Sequence, residues 1–276
     1  MCTLTWTHRA AGWTGWTERQ GPERGASGAP PDGYRLWFNR DELRTRGPEV
    51  PPRVESPAGG VRYIAPADSD AGGTWLAVNE LGITVALLNG YRDSRGPERA
   101  RWTSRGHLVR ELASMGGVRH AWRHLTPTRL REFRPLVVAV VAPDRPALLV
   151  RWDGLDVTFD ARGHRQLPVV SSSYAQSEVQ VRRRALYEGL VDAEADHGRG
   201  GARCPGAPRP ETLEAFHRST PEGGPDAYSP SMARPEAATR SQCRVEVTDD
   251  EVLLHYAPGP PHETAHEPPV RLPRRR

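Results

Sequence analysis

Met1-Cys2-Thr3-Leu4-Thr5-Trp6-Thr7 opens the chain, and it puts a cysteine where removal of one residue would make it the first. A free N-terminal cysteine carries a thiol nucleophile and, on the same residue, an α-amine whose ordinary pKa of roughly 7.7 to 8.0 lets it serve as the general base. One residue can then fill two catalytic roles. From Thr3 to Thr7 polar and bulky apolar groups alternate, the period of a strand with one buried face, so the thiol is expected at the start of a rigid sheet element. A cysteine behind an initiator is more often an ordinary thiol. The rest of the chain has to decide between the two.

Tyr34-Arg35-Leu36-Trp37-Phe38 resumes the alternation and predicts an antiparallel partner for the first strand. The polar run Asn39-Arg40-Asp41-Glu42 at its end reads as a solvated turn when taken alone. As the end of a hairpin it returns beside Cys2, where the Arg40 guanidinium would lower the thiol pKa and the Asp41 carboxylate would orient the amine. Between the two strands, residues 12–33 are rich in Gly, Pro, Arg and Glu without periodicity, which predicts a long surface loop pinned by Trp13 and Trp16. Residues 43–68 read as a second Pro-rich connection. Trp75–Val78 and Ile83–Leu88 flank Asn79-Glu80-Leu81-Gly82, a tight-turn sequence. The Gly72-Gly73 pair is only a weak phosphate-loop signal, since no helix follows it. Asn89, before Gly90, suits either a turn cap or a hydrogen-bond donor to a developing oxyanion.

From Ser104 the period becomes helical, with Leu108, Val109, Leu112 and Met115 on one face, and a short helix from Val118 to Leu125 is expected next. His120 and His124 stand four residues apart on it, but no acidic third ligand shares their face, so a solvated helix face is expected rather than a metal site. Residues 136–142, 147–152, 155–159 and 167–170 read as consecutive strands, followed by Ser171-Ser172-Ser173 and a helix over 178–189. In that helix Val181, Ala185, Leu186 and Leu190 are expected inward and Arg182, Arg183 and Arg184 outward. Residues 238–248 and 252–256 predict a last hairpin, with Cys243 packed on a strand. The expected architecture is α+β: antiparallel sheets flanked by helices. It is laid out as a single domain over residues 1–257, with a loop insertion near 12–33 and a disordered Pro/His/Arg-rich tail over 258–276.

The 38 basic residues are all Arg and are interspersed with 34 acidic ones for a net charge of +4, so no continuous footprint for nucleic acid appears before the last residues. Cys2, Cys204 and Cys243 are an odd number without C-x-x-C spacing, which argues against a disulfide framework and a structural zinc site and favours a reducing, cytoplasmic setting. Cys204 reads as a surface thiol. The apolar run 136–142 is too short to span a bilayer, and no signal segment is evident. No metal or other cofactor is expected.

Four motifs in order, Met1-Cys2-Thr3, Phe38-Asn39-Arg40-Asp41-Glu42, Ala71-Gly72-Gly73-Thr74-Trp75-Leu76-Ala77-Val78-Asn79 and Ala86-Leu87-Leu88-Asn89, resemble the NRDE family, also called the transport and Golgi organisation protein 2 family. That family looks like a branch of the N-terminal nucleophile hydrolases, and the resemblance implies a four-layer αββα sandwich of two antiparallel sheets. It is also similar to the choloylglycine hydrolase and penicillin V acylase group, which loses the initiator and cleaves an amide with the exposed Cys. By that resemblance Cys2 would be nucleophile and base, Arg40 would stabilise the thiolate, Asp41 would hold the α-amine and Asn89 would be an oxyanion donor. Asn39, Trp75, Asn79 and Ser172 are expected to bind substrate. The hydrolases' second oxyanion Asn falls where this chain has Ser171-Ser172-Ser173, and only Arg182, Arg183 and Arg184 are available for a late active-site Arg. The expected function is cleavage of a linear amide or thioester small molecule through Cys2 after Met1 removal. The alternatives are a non-catalytic haem or acyl-coenzyme A carrier using the same cleft, and a folded partner-binding protein.

Overall fold

A computed structural model describes residues 2–8, 13–17, 21–24, 33–91, 101–197 and 208–275. The strands of the first half are β1 (Cys2–His8), β2 (Trp13–Thr17), β3 (Gly21–Arg24), β4 (Tyr34–Leu43), β5 (Glu49–Glu55), β6 (Tyr63–Asp68), β7 (Leu76–Asn79) and β8 (Thr84–Asn89). Helices α1 (Arg105–Ala113), α2 (Val118–His124) and α3 (Pro127–Leu130) lead to β9 (Leu136–Ala142), β10 (Arg145–Trp152), β11 (Val157–Asp160) and β12 (Val169–Ser171). After α4 (Gln176–His197) and α5 (Pro210–Arg218) come β13 (Ala237–Val247), β14 (Glu251–Ala257) and β15 (Val270–Pro273).

Two antiparallel sheets face each other, one ordered β12-β1-β4-β13-β14-β15 and the other β11-β10-β9-β8-β7-β6-β5. Leu4, Trp6, Leu36 and Phe38 of the first pack with Ile64, Leu76, Val78, Leu88 and Val141 of the second in one buried core. Helices α1 and α2 and the segment through α3 cover the outer face of the second sheet through Leu108, Leu112, Ala121, Leu130 and Phe133. Helices α4 and α5 cover the first. The chain therefore builds four layers. Register is secured by the core, because a one-residue slip of β1 would exchange Leu4 and Trp6 for threonines, and each such side chain contributes about 1.5–3 kcal/mol when buried.

The predicted hairpin is present, with Cys2 facing Arg40 and His8 facing Tyr34 across β1 and β4. Both faces of β1 are covered, however: Thr3 and Thr5, expected toward solvent, are fully buried beneath the helices. Strand β12 is the edge of the first sheet, and it does not follow β11 as expected. The Pro-rich span 43–68 is also not a plain connection. It holds β5 and β6, and β5 tolerates Pro51 and Pro52 because it is an edge strand with a register shift between Val50 and Arg53. Within the predicted loop 12–33, β2 and β3 pair as a separate two-stranded sheet. Cys204 lies outside the described residues.

Two further expectations are corrected. The tail is ordered: β15 pairs with β14, Leu272 is buried in the inter-sheet core, and the Arg275 backbone N–H donates to Glu80 O at 2.7 Å. Alternation of Val270 and Leu272 supplies the apolar face that the Pro and Arg content concealed. In α4 the buried stripe is Val179, Arg183 and Tyr187, while Val181 is 66% exposed and Leu186 is also exposed. The sheet beneath α4 presents polar groups, so the helix turns a guanidinium inward. Near α2, Glu111 of α1 does reach His124 at 3.0 Å, but it also binds Arg129, and among the described residues no three metal-ligating side chains cluster. No helix among the described residues is long and apolar enough to cross a membrane.

Candidate active site between the two sheets

Cys2 begins β1 with neighbours on both sides, Arg40 of β4 and Ser171 of β12, each directly opposite it in register. Directly opposed residues share a face. Leu4 on that face enters the inter-sheet core, so Cys2, Arg40 and Ser171 all project into the mouth between the sheets. There a cleft of about 430 Å³ is lined by Cys2, Arg40, Asp68, Trp75, Asn89 and Arg105, with Asp41 at its border. One wall depends on two glycines. A Cβ on Gly73 would lie 2.7 Å from Gly106 Cα, and one on Gly106 would lie 2.6 Å from Thr74 N, so only glycines let the first turn of α1 close on this loop. Gly73 thus serves backbone approach rather than phosphate binding.

Arg40 is a hub. Its Nη1 donates to Glu49 Oε1 at 2.5 Å, its Nη2 reaches Asp68 Oδ2 at 3.2 Å and Glu42 Oε2 at 3.3 Å, and its Cζ lies 4.3 Å from the centre of the Trp75 ring. Asp68 is held in turn by Arg46 and by the backbone N–H groups of Asp70 and Ala71. The guanidinium charge is therefore shared among three carboxylates. Burial pushes the Cys2 thiol up to about 11, against the opposing pull of the amino terminus and Arg40, while the charge of Asp41 adds to the rise. The resting sulfur is a neutral thiol. Replacing Arg40 by Gln removes a cation and leaves Glu49 without its guanidinium partner, while Asp68 keeps Arg46, so the thiolate becomes rarer still. A shift of about one pKa unit slows alkylation of Cys2 roughly tenfold at any fixed pH below its pKa, with Arg40→Lys between the two. Equal alkylation rates in parent and both variants would remove Arg40 from the thiol's environment.

The other predicted residues divide by strand parity. Asp41, one position beyond Arg40, turns its carboxylate to the outer layer, where it accepts from Thr239 Oγ1 at 2.6 Å and meets both terminal nitrogens of Arg183 at 3.4 Å. Arg183 also donates to Thr3 Oγ1 and to Tyr228 O. Asn39 shares that outer face, fully buried, donating to His217 O and Pro230 O at 2.9 Å and accepting from Gln242. His217, bonded to Thr5 Oγ1, is held neutral because burial, with Arg183 adding to it, lowers its pKa to about 3. Asn79 belongs to the β7–β8 turn, where its Oδ1 accepts from Leu81 N and Ile83 N. Ser172 bonds Tyr174 and Gln176 at the entry to α4. Cys2, Arg40, Asp41, Trp75 and Asn89 are thus gathered at the cleft, whereas Asn39, Asn79 and Ser172 are not among its lining.

Two residues stand in the sequence only as members of the runs Ser171-Ser172-Ser173 and Arg182-Arg183-Arg184. Ser171, rather than Ser172, faces Cys2. It is 4% exposed, and its hydroxyl finds no hydrogen-bond partner among the described residues. Strand parity from Val169 would have selected it. Arg183 was placed outward, although Val179 and Tyr187 four residues to either side mark its stripe as buried.

Residues 29–123 match the family model described as Transport and Golgi organisation 2. No curated protein matches the chain. Among solved structures, penicillin V acylase from Agrobacterium tumefaciens is similar with a TM-score of 0.50 at 12% identity, over 93% of this chain and 83% of that one. A mutant conjugated bile acid hydrolase from Clostridium perfringens gives 0.46 at 9% identity, over 89% and 94%. At 12% identity the likeness to the acylase is one of fold. The chain thus matches the Transport and Golgi organisation 2 model over residues 29–123, within an α+β sandwich whose fold is similar to that of penicillin V acylase.

Proposed function

We propose that the protein is an N-terminal-nucleophile hydrolase-like enzyme that cleaves a linear amide or thioester through Cys2 once Met1 has been removed. The observation that carries this reading is the convergence of Cys2, Arg40 and Ser171 on one face at the mouth of the cleft. In the proposed reaction Cys2 Sγ attacks the substrate carbonyl carbon while its proton passes to the residue's own α-amine. The transfer accompanies attack, because burial disfavours a free thiolate. Asn89 Nδ2 and the free hydroxyl of Ser171 donate to the oxyanion. The α-ammonium then returns the proton to the leaving group as the carbonyl–heteroatom bond breaks; water, deprotonated by the same amine, attacks the acyl carbon, the C–S bond breaks to release the carboxylic acid, and the amine's proton passes back to Sγ. Arg40 orients the thiol's surroundings through its carboxylate set. Asp41 holds the strand end that bears the amine.

Intact mass of the natively expressed chain tests the first requirement, with loss of Met1 as the expected result; retention in most molecules would end the self-base mechanism. Incubation with acyl amides and acyl thioesters, read by mass spectrometry, tests cleavage. Ser171→Ala and Asn89→Ala are each expected to slow it by about 10² to 10³, the usual cost of one oxyanion donor. Full activity in Ser171→Ala would assign that hydroxyl no part in the reaction. The burial of Cys2, 7% exposed, is what favours the carrier alternative. That reading expects haem or acyl-coenzyme A to bind equally to parent and Cys2→Ala, with no cleavage by either.

A further inference from the structure

A second and larger cavity, of about 940 Å³, adjoins the Cys2 cleft and shares Asn89 with it. Ser171 borders it from the first sheet and Arg151 from the second. Leu88, Val137 and Arg151 oppose one another in a row across β8, β9 and β10. Leu88 and Val137 belong to the inter-sheet core, so Arg151 occupies the same inner face, with Thr158 of β11 next in the row. Its guanidinium makes no hydrogen bond or ion pair among the described residues. Burial works against its charge, with only the field of Asp160 offsetting this. The other charged groups around the cavity are already engaged: Asp153 accepts from Leu155 N and Asp156 N, and Arg184 lies near Gln166 O and Glu188.

A half-desolvated guanidinium with no ion-pair partner in contact, and only the field of Asp160 to offset its burial, is costly. A ligand carboxylate would relieve that cost and match the planar fork with two hydrogen bonds. Pro168 and Val169 add apolar wall beside it, and the volume suits a small-molecule ligand. Building on the proposed amide or thioester cleavage, we infer that this cavity is the second half of the Cys2 site and that Arg151 binds a carboxylate carried by the substrate.

The test uses the full chain with Cys2→Ala, so that binding is measured without turnover. The probes are N-octanoylglycine, with its carboxylate on the amine half, and N-ethylsuberamate, with its carboxylate on the acyl half, each beside its neutral carboxamide. The expected result is that at least one acid binds about tenfold or more tightly than its carboxamide, and the acid that does so identifies which half enters the cavity. Adding Arg151→Gln should abolish the preference, and Arg151→Lys should keep only part of it. Equal affinities for acid and carboxamide, a preference that survives Arg151→Gln, or no binding by any probe would each overturn the inference. The acid–carboxamide comparison needs no Arg151 variant, so it decides the matter even if Arg151→Gln does not fold. Turnover by the parent chain is scored separately. A preference without cleavage sinks the hydrolase reading and leaves this one standing, whereas cleavage without a preference does the reverse.

Discussion

Replacing Arg183 by Met is expected to lower the unfolding free energy by about 3–5 kcal/mol, the usual cost of removing one partner from a buried ion pair. Arg183 and Asp41 are both fully buried in their side chains. Arg183 ties α4 to three elements at once, through Thr3 of β1, Asp41 of β4 and the Tyr228 carbonyl. Without it the Asp41 carboxylate keeps Thr239 but loses the Arg183 guanidinium. Urea unfolding of the parent, Arg183→Met, Asp41→Asn and the double variant separates the contributions, since two residues in one network couple by about 0.5–3 kcal/mol. Simple additivity would mean that the pair acts as two independent buried polar groups. The consequence reaches the site, because this pair lies directly behind the strand ends that present Cys2 and Arg40.

Cys2→Ala is expected to abolish cleavage, a loss of at least about a thousandfold, while changing stability by no more than about 1 kcal/mol. Removing one sulfur from the strand end leaves the backbone pairing with Arg40 and Ser171 intact, so fold and chemistry separate in this variant. A thiol-directed acyl probe followed by mass spectrometry reads the covalent step, and thermal unfolding reads the fold. Labelling of Cys2→Ala at the parent's rate would move the nucleophile elsewhere. The other thiol of the described chain, Cys243, is fully buried in the inter-sheet core, where burial raises its pKa still further.

Much of the fold is legible along the chain because period-two alternation reports which residues share a face. It identifies β1 and β4, and with them the meeting of Cys2 and Arg40, while the tight-turn sequence at 79–82 marks β7 and β8. It failed where composition masked it, as in β5 with its two prolines and β15 with its arginines. It also failed where both faces of an element are buried. Thr3, Thr5 and Asn39 resemble solvent-facing residues until two helices are laid over them.

The amino-acid sequence by itself determined the strand carrying Cys2, the hairpin returning Arg40 to it, and the α+β class, since these follow from local periodicity and short connections. Only the tertiary structure decided which serine faces the thiol, that Arg183 turns inward to Asp41, and that Arg151 borders the larger cavity without an ion-pair partner among the described residues. The physical reason is the same in each case. A polar side chain's role depends on the partner supplied across a sheet or between layers, and those partners lie 169 residues away for Ser171 of Cys2 and 142 for Arg183 of Asp41.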